Sequence, residues 1–127
     1  MKLCITARGR DLDAQVDPMF GRAQVFLRFD TETGAIEAID NAPGAHGAGV
    51  QAAQQMVNQG VSIVITGQVG PNAYQGLAAA GIEVHVGASG TVREAIAAYE
   101  AGQLQRAGGP TGMRHGGGGG RGRGGGR

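Results

Sequence analysis

Residues Val61 to Val86, VSIVITGQVGPNAYQGLAAAGIEVHV, leave few folds open to this chain. Val61, Ile63, Val64 and Ile65 form a short β-branched apolar run, the pattern of a strand buried on both faces. Gly67 and Gly70 interrupt it, and Pro71 stands at a first helical position, where its missing N–H costs nothing. Ala73, Leu77 and Ala80 share one helical face. Gly81 ends that helix as a left-handed cap, and Ile82, Val84 and Val86 start a new strand. Two strands joined by one helix lie parallel in one sheet, with a right-handed crossover. Ligands of such sheets gather at the carboxyl ends of the strands, where helix N-termini point.

The rest of the chain supplies partners for this unit. Lys2 to Thr6 reads as a first strand, with Leu3 and Ile5 on one face and Lys2, Cys4 and Thr6 on the other. Ala7 to Phe20 is polar and irregular, and Asp17-Pro18 reads as a turn. Gln24 to Asp30 and Ala35 to Asp40 are strands joined at Thr31-Glu32-Thr33-Gly34, a hairpin turn with glycine where positive φ is wanted. Asn41 to Gly49 is a loop. Val50 to Asn58 follows as a helix, with Val50, Ala53 and Val57 on its inner face, and Gly60 stops it. After the central unit, Thr91 opens a last helix and Glu94 completes a capping box. Val92, Ala95, Ile96 and Tyr99 mark its buried face, and Gly102 closes it.

Composition narrows the class. The chain has 127 residues, which suits one domain. Aromatics are only 4% and tryptophan is absent, so the core is built from Val, Ile, Leu and Ala in close-packed helix-on-sheet layers. No apolar run approaches the ~20 residues of a membrane helix, and MKLCITARG is no signal peptide, so the expected location is the cytoplasm. Cys4, the one cysteine, excludes an internal disulfide and an all-cysteine metal site within one chain. The body, residues 1–105, carries six basic and ten acidic residues, whereas residues 106–127 hold five arginines and no acid. That segment, with its glycine run 116–120 and GRGRGGGR end, is expected to be a disordered tail reaching on the order of 70 Å when extended.

Three glycine loops lead into helices: His46-Gly47-Ala48-Gly49, Gly67 to Gly70, and Gly87 to Gly90. Either they serve as ordinary strand-to-helix turns, or their N–H groups and helix dipoles bind an anion. No Gly-Lys-Ser/Thr follows, so they are not a Walker loop, and their spacing is not that of a dinucleotide site. Cys4 reads as a small buried hydrophobe or as a thiolate ligand. His46 reads as a metal ligand or as a solvated side chain. His85 alternates with Val84 and Val86 and points to packing or a hydrogen bond. His115 and Met113 offer nitrogen and thioether to a soft metal. Asp11, Asp13 and Asp17 read as a solvated acidic loop or a hard-cation site. No arrangement supports a nucleophile or general base, so no enzyme activity is expected.

Taken in order, these stretches resemble the dinitrogenase iron–molybdenum cofactor biosynthesis family, which includes NifX, the C-terminal part of NifB and the cofactor-binding domain of NafY. The resemblance rests on Asp17-Pro18-Met19-Phe20-Gly21-Arg22, Asp30 to Gly34, Ile65 to Ala73, Ala80-Gly81-Ile82, and Thr91 to Ile96, and it runs from Met1 to about Leu104. It implies an α/β fold of three layers, α/β/α and ribonuclease-H-like, with a five-stranded mixed sheet of order 3-2-1-4-5 and strand 2 antiparallel. It does not imply nuclease work, which needs carboxylates converging on two metals.

The resemblance also implies binding of an anionic metal–sulfur cluster, iron–molybdenum–sulfur or molybdenum–copper–sulfur, as a carrier or store, with cluster donor and acceptor proteins as partners. The residues expected to hold the cluster are His46, Gly47, Gly49, Gly67, Gly70, Asn72, Ser89, Gly90, Thr91 and Arg22, with His46, Cys4 and Met19 as direct metal ligands. Many members carry arginine at the Met19 position and end in glycine- and histidine-rich tails; here the tail is glycine- and arginine-rich. A competing reading makes the chain an interaction module whose Arg-Gly tail binds nucleic acid or an acidic partner. The tail holds no aromatic residue and the body is acidic, which counts against nucleic acid. A third reading, an enzyme acting on a phosphate-bearing substrate, lacks a base.

Overall fold

A computed structural model describes residues 1–40 and 48–108. Its centre is strand β1, Lys2–Ala7, whose residues from Leu3 to Ala7 are all buried. A strand dry on both faces needs cover on both. Leu3, Ile5 and Ala7 point to one side, as the alternation predicts, and Cys4 to the other. β1 pairs antiparallel with β2, Val25–Asp30, and parallel with β4, Ile63–Ile65. β3, Ile36–Asp40, continues the sheet beyond β2, and β5, Glu83–Val86, lies parallel beyond β4. The hairpin between β2 and β3 turns at Gly34, whose φ of 78° is the left-handed value the turn requires.

The sheet has six strands, in the order β3-β2-β1-β4-β5-β6, not five. β6, Gln105–Arg106, adds antiparallel to β5, and Ala107 beyond it is buried. A two-residue strand carries no period, so the sequence pattern ends at Leu104 while the sheet continues. Among the first five strands, order and direction are as expected, with β2 antiparallel to both neighbours.

Helices cover both faces. Helix α3, Val92–Glu100, seats Val92, Ala95 and Ile96 against Leu3, Ile5, Leu27 and Ile65. On the other face lie α1, Ala48–Asn58, and α2, Pro71–Ala79. Their Ala53, Met56, Ala73 and Leu77 meet Cys4, Phe26, Val64 and Val84. Beside α1 the 3-10 turn Phe20–Arg22 adds Phe20 to this core, its ring 5.4 Å from that of Phe26. No helix among the described residues is long and apolar enough to cross a membrane.

Two expected inner-face positions are corrected. Val57 is 45% exposed and Met56 is fully buried, so the stripe of α1 runs through Ala53 and Met56. The three-residue step turns the helix so that Val57 falls on the water side. Ala80 is exposed as the C-cap of α2, one residue before Gly81 takes φ 78°. Met56→Ala is expected to cost about 2–5 kcal/mol of stability, and Val57→Ala to stay within about 0.5 kcal/mol of wild type. Urea unfolding followed by circular dichroism checks the pair; equal losses would restore Val57 to the core.

Candidate functional site

β1, β3, β4 and β5 run in one direction, so Ala7, Asp40, Ile65 and Val86 end at one edge of the sheet. α2 and α3 start from that edge. α1 does too: after its end, the Ser62 N–H donates to the Lys2 carbonyl at the opposite edge, 2.9 Å away. The sequence leaves two readings for these helix starts, ordinary strand-to-helix turns or a shared anion site. The structure separates them.

The N-terminus of α3 is closed. Thr91 accepts from the Glu94 N–H at 3.1 Å, and Glu94 accepts from the Thr91 N–H at 2.8 Å. The Val92 N–H donates to the Ala14 carbonyl at 2.9 Å and the Arg93 N–H to the Leu12 carbonyl at 2.8 Å. A helix start has about four orphan donors; here the loop 8–16 and the cap consume those of the first turn. That loop is held in turn by Val16 N–H to Gly90 carbonyl at 2.8 Å, Arg8 N–H to Gln15 carbonyl at 2.9 Å, and an Asp13–Arg93 ion pair at 3.2 Å. Gly90, at φ 79°, shapes the cap. Gly90 and Thr91 therefore build a helix end whose first-turn amides are already spent, and Ser89 is exposed beside them.

The N-terminus of α2 is open. Its N-cap is Gly70, with no side chain to accept, and its first residue is Pro71, with no N–H to give. The N–H groups of Asn72 and Ala73 meet no partner among the described residues; the first one satisfied is that of Tyr74, to the Gly70 carbonyl at 2.9 Å. Asn72 itself is exposed.

Beside this open end runs a strap, Asp17 to Phe20. The Gln68 N–H donates to the Pro18 carbonyl at 2.7 Å, and the Phe20 N–H donates to the Gln68 carbonyl at 3.2 Å, so Met19 lies alongside Gln68. Gly67 is needed here for space, because a Cβ would stand 2.7 Å from the Pro18 oxygen. The Asp17 carboxylate accepts from the Met19 N–H at 3.5 Å and the Gln24 N–H at 3.3 Å. Arg22, at the end of the 3-10 turn, is exposed and has no ion-pair partner among the described residues. The structure thus brings Met19, Gly67, Gly70 and Asn72 together, with Arg22 on the turn that continues the strap. Gly49 lies in the first turn of α1. His46, Gly47, Met113 and His115 lie outside the described residues.

Other nominated groups stand apart. Cys4 is fully buried mid-strand, between Arg28 and Val64, and burial pushes its thiol far up. A metal ligand must be a thiolate that the metal can reach, so Cys4 fits the reading as a small buried hydrophobe. His85 packs edge-on to Tyr99 at 4.9 Å, with Nε2 3.2 Å from a Glu83 oxygen, as a packing histidine would. Asp11 accepts from the Asp13 N–H at 2.9 Å, and no cluster of three or more His, Cys, Asp or Glu side chains fit for a metal exists among the described residues. Two groups went unnoticed in the sequence: the loop 8–16 as the stopper of α3, and the buried pair Thr6 and Thr66 under the strap. The signal for the pair was a threonine closing each of two buried apolar runs.

Comparison with known proteins agrees with this architecture. The family model described as dinitrogenase iron-molybdenum cofactor matches residues 1–102. The apo form of the orange protein from Desulfovibrio gigas is 43% identical, with a TM-score of 0.83, over 87% of this chain and 95% of that one. A NifB-like protein from Thermotoga is 40% identical, with a TM-score of 0.75, over 82% of this chain and 90% of that one. An uncharacterized protein of Methanocaldococcus jannaschii is 32% identical over 97 residues, 72% of this chain and 82% of its own. The chain belongs to the dinitrogenase iron-molybdenum cofactor family, which is linked to the biosynthesis of that cofactor.

Proposed function

We propose that this chain carries or stores an anionic metal–sulfur cluster, iron–molybdenum–sulfur or molybdenum–copper–sulfur, at the α2 end of the carboxyl edge. The observation that carries the reading is a pair of amides, Asn72 and Ala73, with no partner among the described residues, beside Met19 on the face that also bears α1. Sulfide at a cluster surface is a diffuse anion. It takes hydrogen bonds from backbone N–H groups and gains from the positive end of a helix. Arg22 adds a full cation, and the Met19 thioether is a soft donor of the kind copper and molybdenum sulfides accept. His46, two residues before Ala48 in the chain, is the imidazole ligand of the proposal, with Gly47, Gly49, Gly67 and Gly70 giving the cluster room. Ser89, Gly90 and Thr91 are left out, because the α3 end is filled from within. Cys4 is left out for its burial.

The chemistry asked of the protein is capture and release, with no bond made or broken in a substrate. Donor and acceptor proteins for the cluster are part of this reading. So is the ribonuclease-H-like assignment of the fold, supported by helices on both faces of a mixed sheet whose second strand runs antiparallel.

Tetrathiomolybdate, with and without cuprous ion, titrated under anaerobic conditions and followed by visible absorption, tests the site. Asn72→Asp is expected to act with opposite signs on two readouts. A carboxylate in the first turn stabilises the helix by about 0.3–1 kcal/mol, which raises Tm, while its charge repels the anion and weakens uptake. Arg22→Gln is expected to weaken uptake about 5-fold. Unchanged affinity in both variants would move the cargo elsewhere.

A second pair of variants separates the ligand candidates. His46→Ala is expected to weaken uptake with the far-ultraviolet dichroism unaltered, whereas Cys4→Ala is expected to leave affinity intact. Weakened uptake in Cys4→Ala at full secondary structure would return the thiol to the ligand set.

A further inference from the structure

We propose that the buried hydroxyl pair Thr6 and Thr66 is the positioning element of this edge: it clamps the Asp17–Phe20 strap and so sets Met19, and Arg22 beyond it, against the open end of α2. The inference rests on the functional reading above for what the strap presents, but the clamp itself stands on geometry.

Both threonines are fully buried. Thr6 is the penultimate residue of β1 and Thr66 follows the last residue of the adjacent strand β4; one step back, Ile5 faces Ile65. The Thr6 Oγ1 lies 2.7 Å from the Asp17 carbonyl oxygen and 2.9 Å from the Thr66 Oγ1. A carbonyl only accepts, so the Thr6 hydroxyl donates to it. Its single proton is then spent, and the Thr66 hydroxyl donates to Thr6. The result is a directed relay from Thr66 through Thr6 to the backbone of Asp17. The Asp17 N–H also donates to the Thr6 carbonyl at 2.9 Å, so residue 17 is tied to Thr6 through both of its backbone polar groups. Thr66 is anchored separately, with its N–H on the His85 carbonyl at 3.0 Å and its carbonyl accepting from Ala88 at 3.2 Å. The relay thus references the strap to three strands, β1, β4 and β5. The next residues lie on Gln68 in hydrogen bonds of 2.7 and 3.2 Å, over a glycine that permits the approach.

A buried acceptor deprived of its donor costs more than the bond was worth. The Asp17 carbonyl is part-buried, so when the relay is cut the strap is expected to lift and give that carbonyl to water. Valine at position 6 keeps the shape and removes the hydroxyl; serine keeps the hydroxyl. Position 66 is a weaker cut, because the Thr6–Asp17 bond survives it.

The test is amide hydrogen exchange on the full chain, read at Phe20 and Gln68 against Ile65 and Val84 as references, together with tetrathiomolybdate titration. In Thr6→Val, exchange at Phe20 and Gln68 is expected to rise on the order of 10-fold beyond any change at the references. Affinity for the probe is expected to fall by a similar factor. Thr6→Ser is expected to restore both, and Thr66→Val to give the same pattern in smaller measure; it carries the test if Thr6→Val does not fold. Unchanged strap exchange in the valine variants would overturn the clamp. Faster strap exchange with undiminished probe affinity would overturn its positioning role. Faster strap exchange in a protein that takes up no thiomolybdate even as wild type would leave the clamp standing and sink the functional reading instead.

Discussion

Five consecutive residues of β1, Leu3 to Ala7, lie out of contact with water, and the remaining layers follow from covering them. A strand dry on both faces must have a neighbour on each side and a helix layer above and below. β2 returns antiparallel on one side through a long polar connection, and β4 arrives parallel on the other by way of α1. Because β4 and β5 must run with β1, the crossover helix α2 and the following α3 both have to begin at the same edge. The concentration of helix ends at the carboxyl edge is thus a consequence of the buried central strand.

That edge is asymmetric, and the asymmetry has a chemical origin. Both helices start after a glycine-containing turn, but only one start is supplied with acceptors. Thr91 and Glu94 cap α3, and the carbonyls of Leu12 and Ala14 take two more donors. Gly70 and Pro71 can do nothing of the kind for α2. One face of the edge is hydrogen-bonded from within, and on the other the first donors of α2 have no acceptor among the described residues. The loop 8–16, featureless by composition, is what makes the difference. It is fastened to β3 by the Arg10–Asp40 ion pair as well as to α3.

Much of this was legible in the sequence, for reasons that mark where legibility stops. The alternation in β1, the glycine of the hairpin, the proline opening α2 and the capping box of α3 are local rules, and each appears in place. What escaped was non-local. Nothing near Thr91 in the chain says that Leu12 and Ala14 will occupy its amides. Nothing in CIT or VIT says that the two threonines will share a proton chain 60 residues apart. Val57 and Met56 compete for one face of α1, and a one-residue difference in phase is decided by the sheet beneath. β6 is two residues long and gains its place only by pairing with β5. For Cys4 the chain alone leaves a buried hydrophobe and a thiolate ligand side by side; the three strands and two helices packed around it favour the first.

The direction of β6 adds a last constraint. It runs antiparallel to β5, so Gln105 sits opposite Val86 near the carboxyl edge and Arg106 sits opposite His85, one step away from it. Ala107 then reaches Val84, its N–H 2.8 Å from that carbonyl. The chain is therefore heading toward the amino edge when it arrives at Gly108. Among the described residues, the cations at the carboxyl edge include Arg22, on the turn that continues the strap, and Arg8, just past the end of β1. On the proposed reading, these two arginines give an otherwise acidic body local positive charge at the edge that receives the anion. On that reading, the placement of the strap and the hydroxyl relay beneath it set the chemistry of the edge.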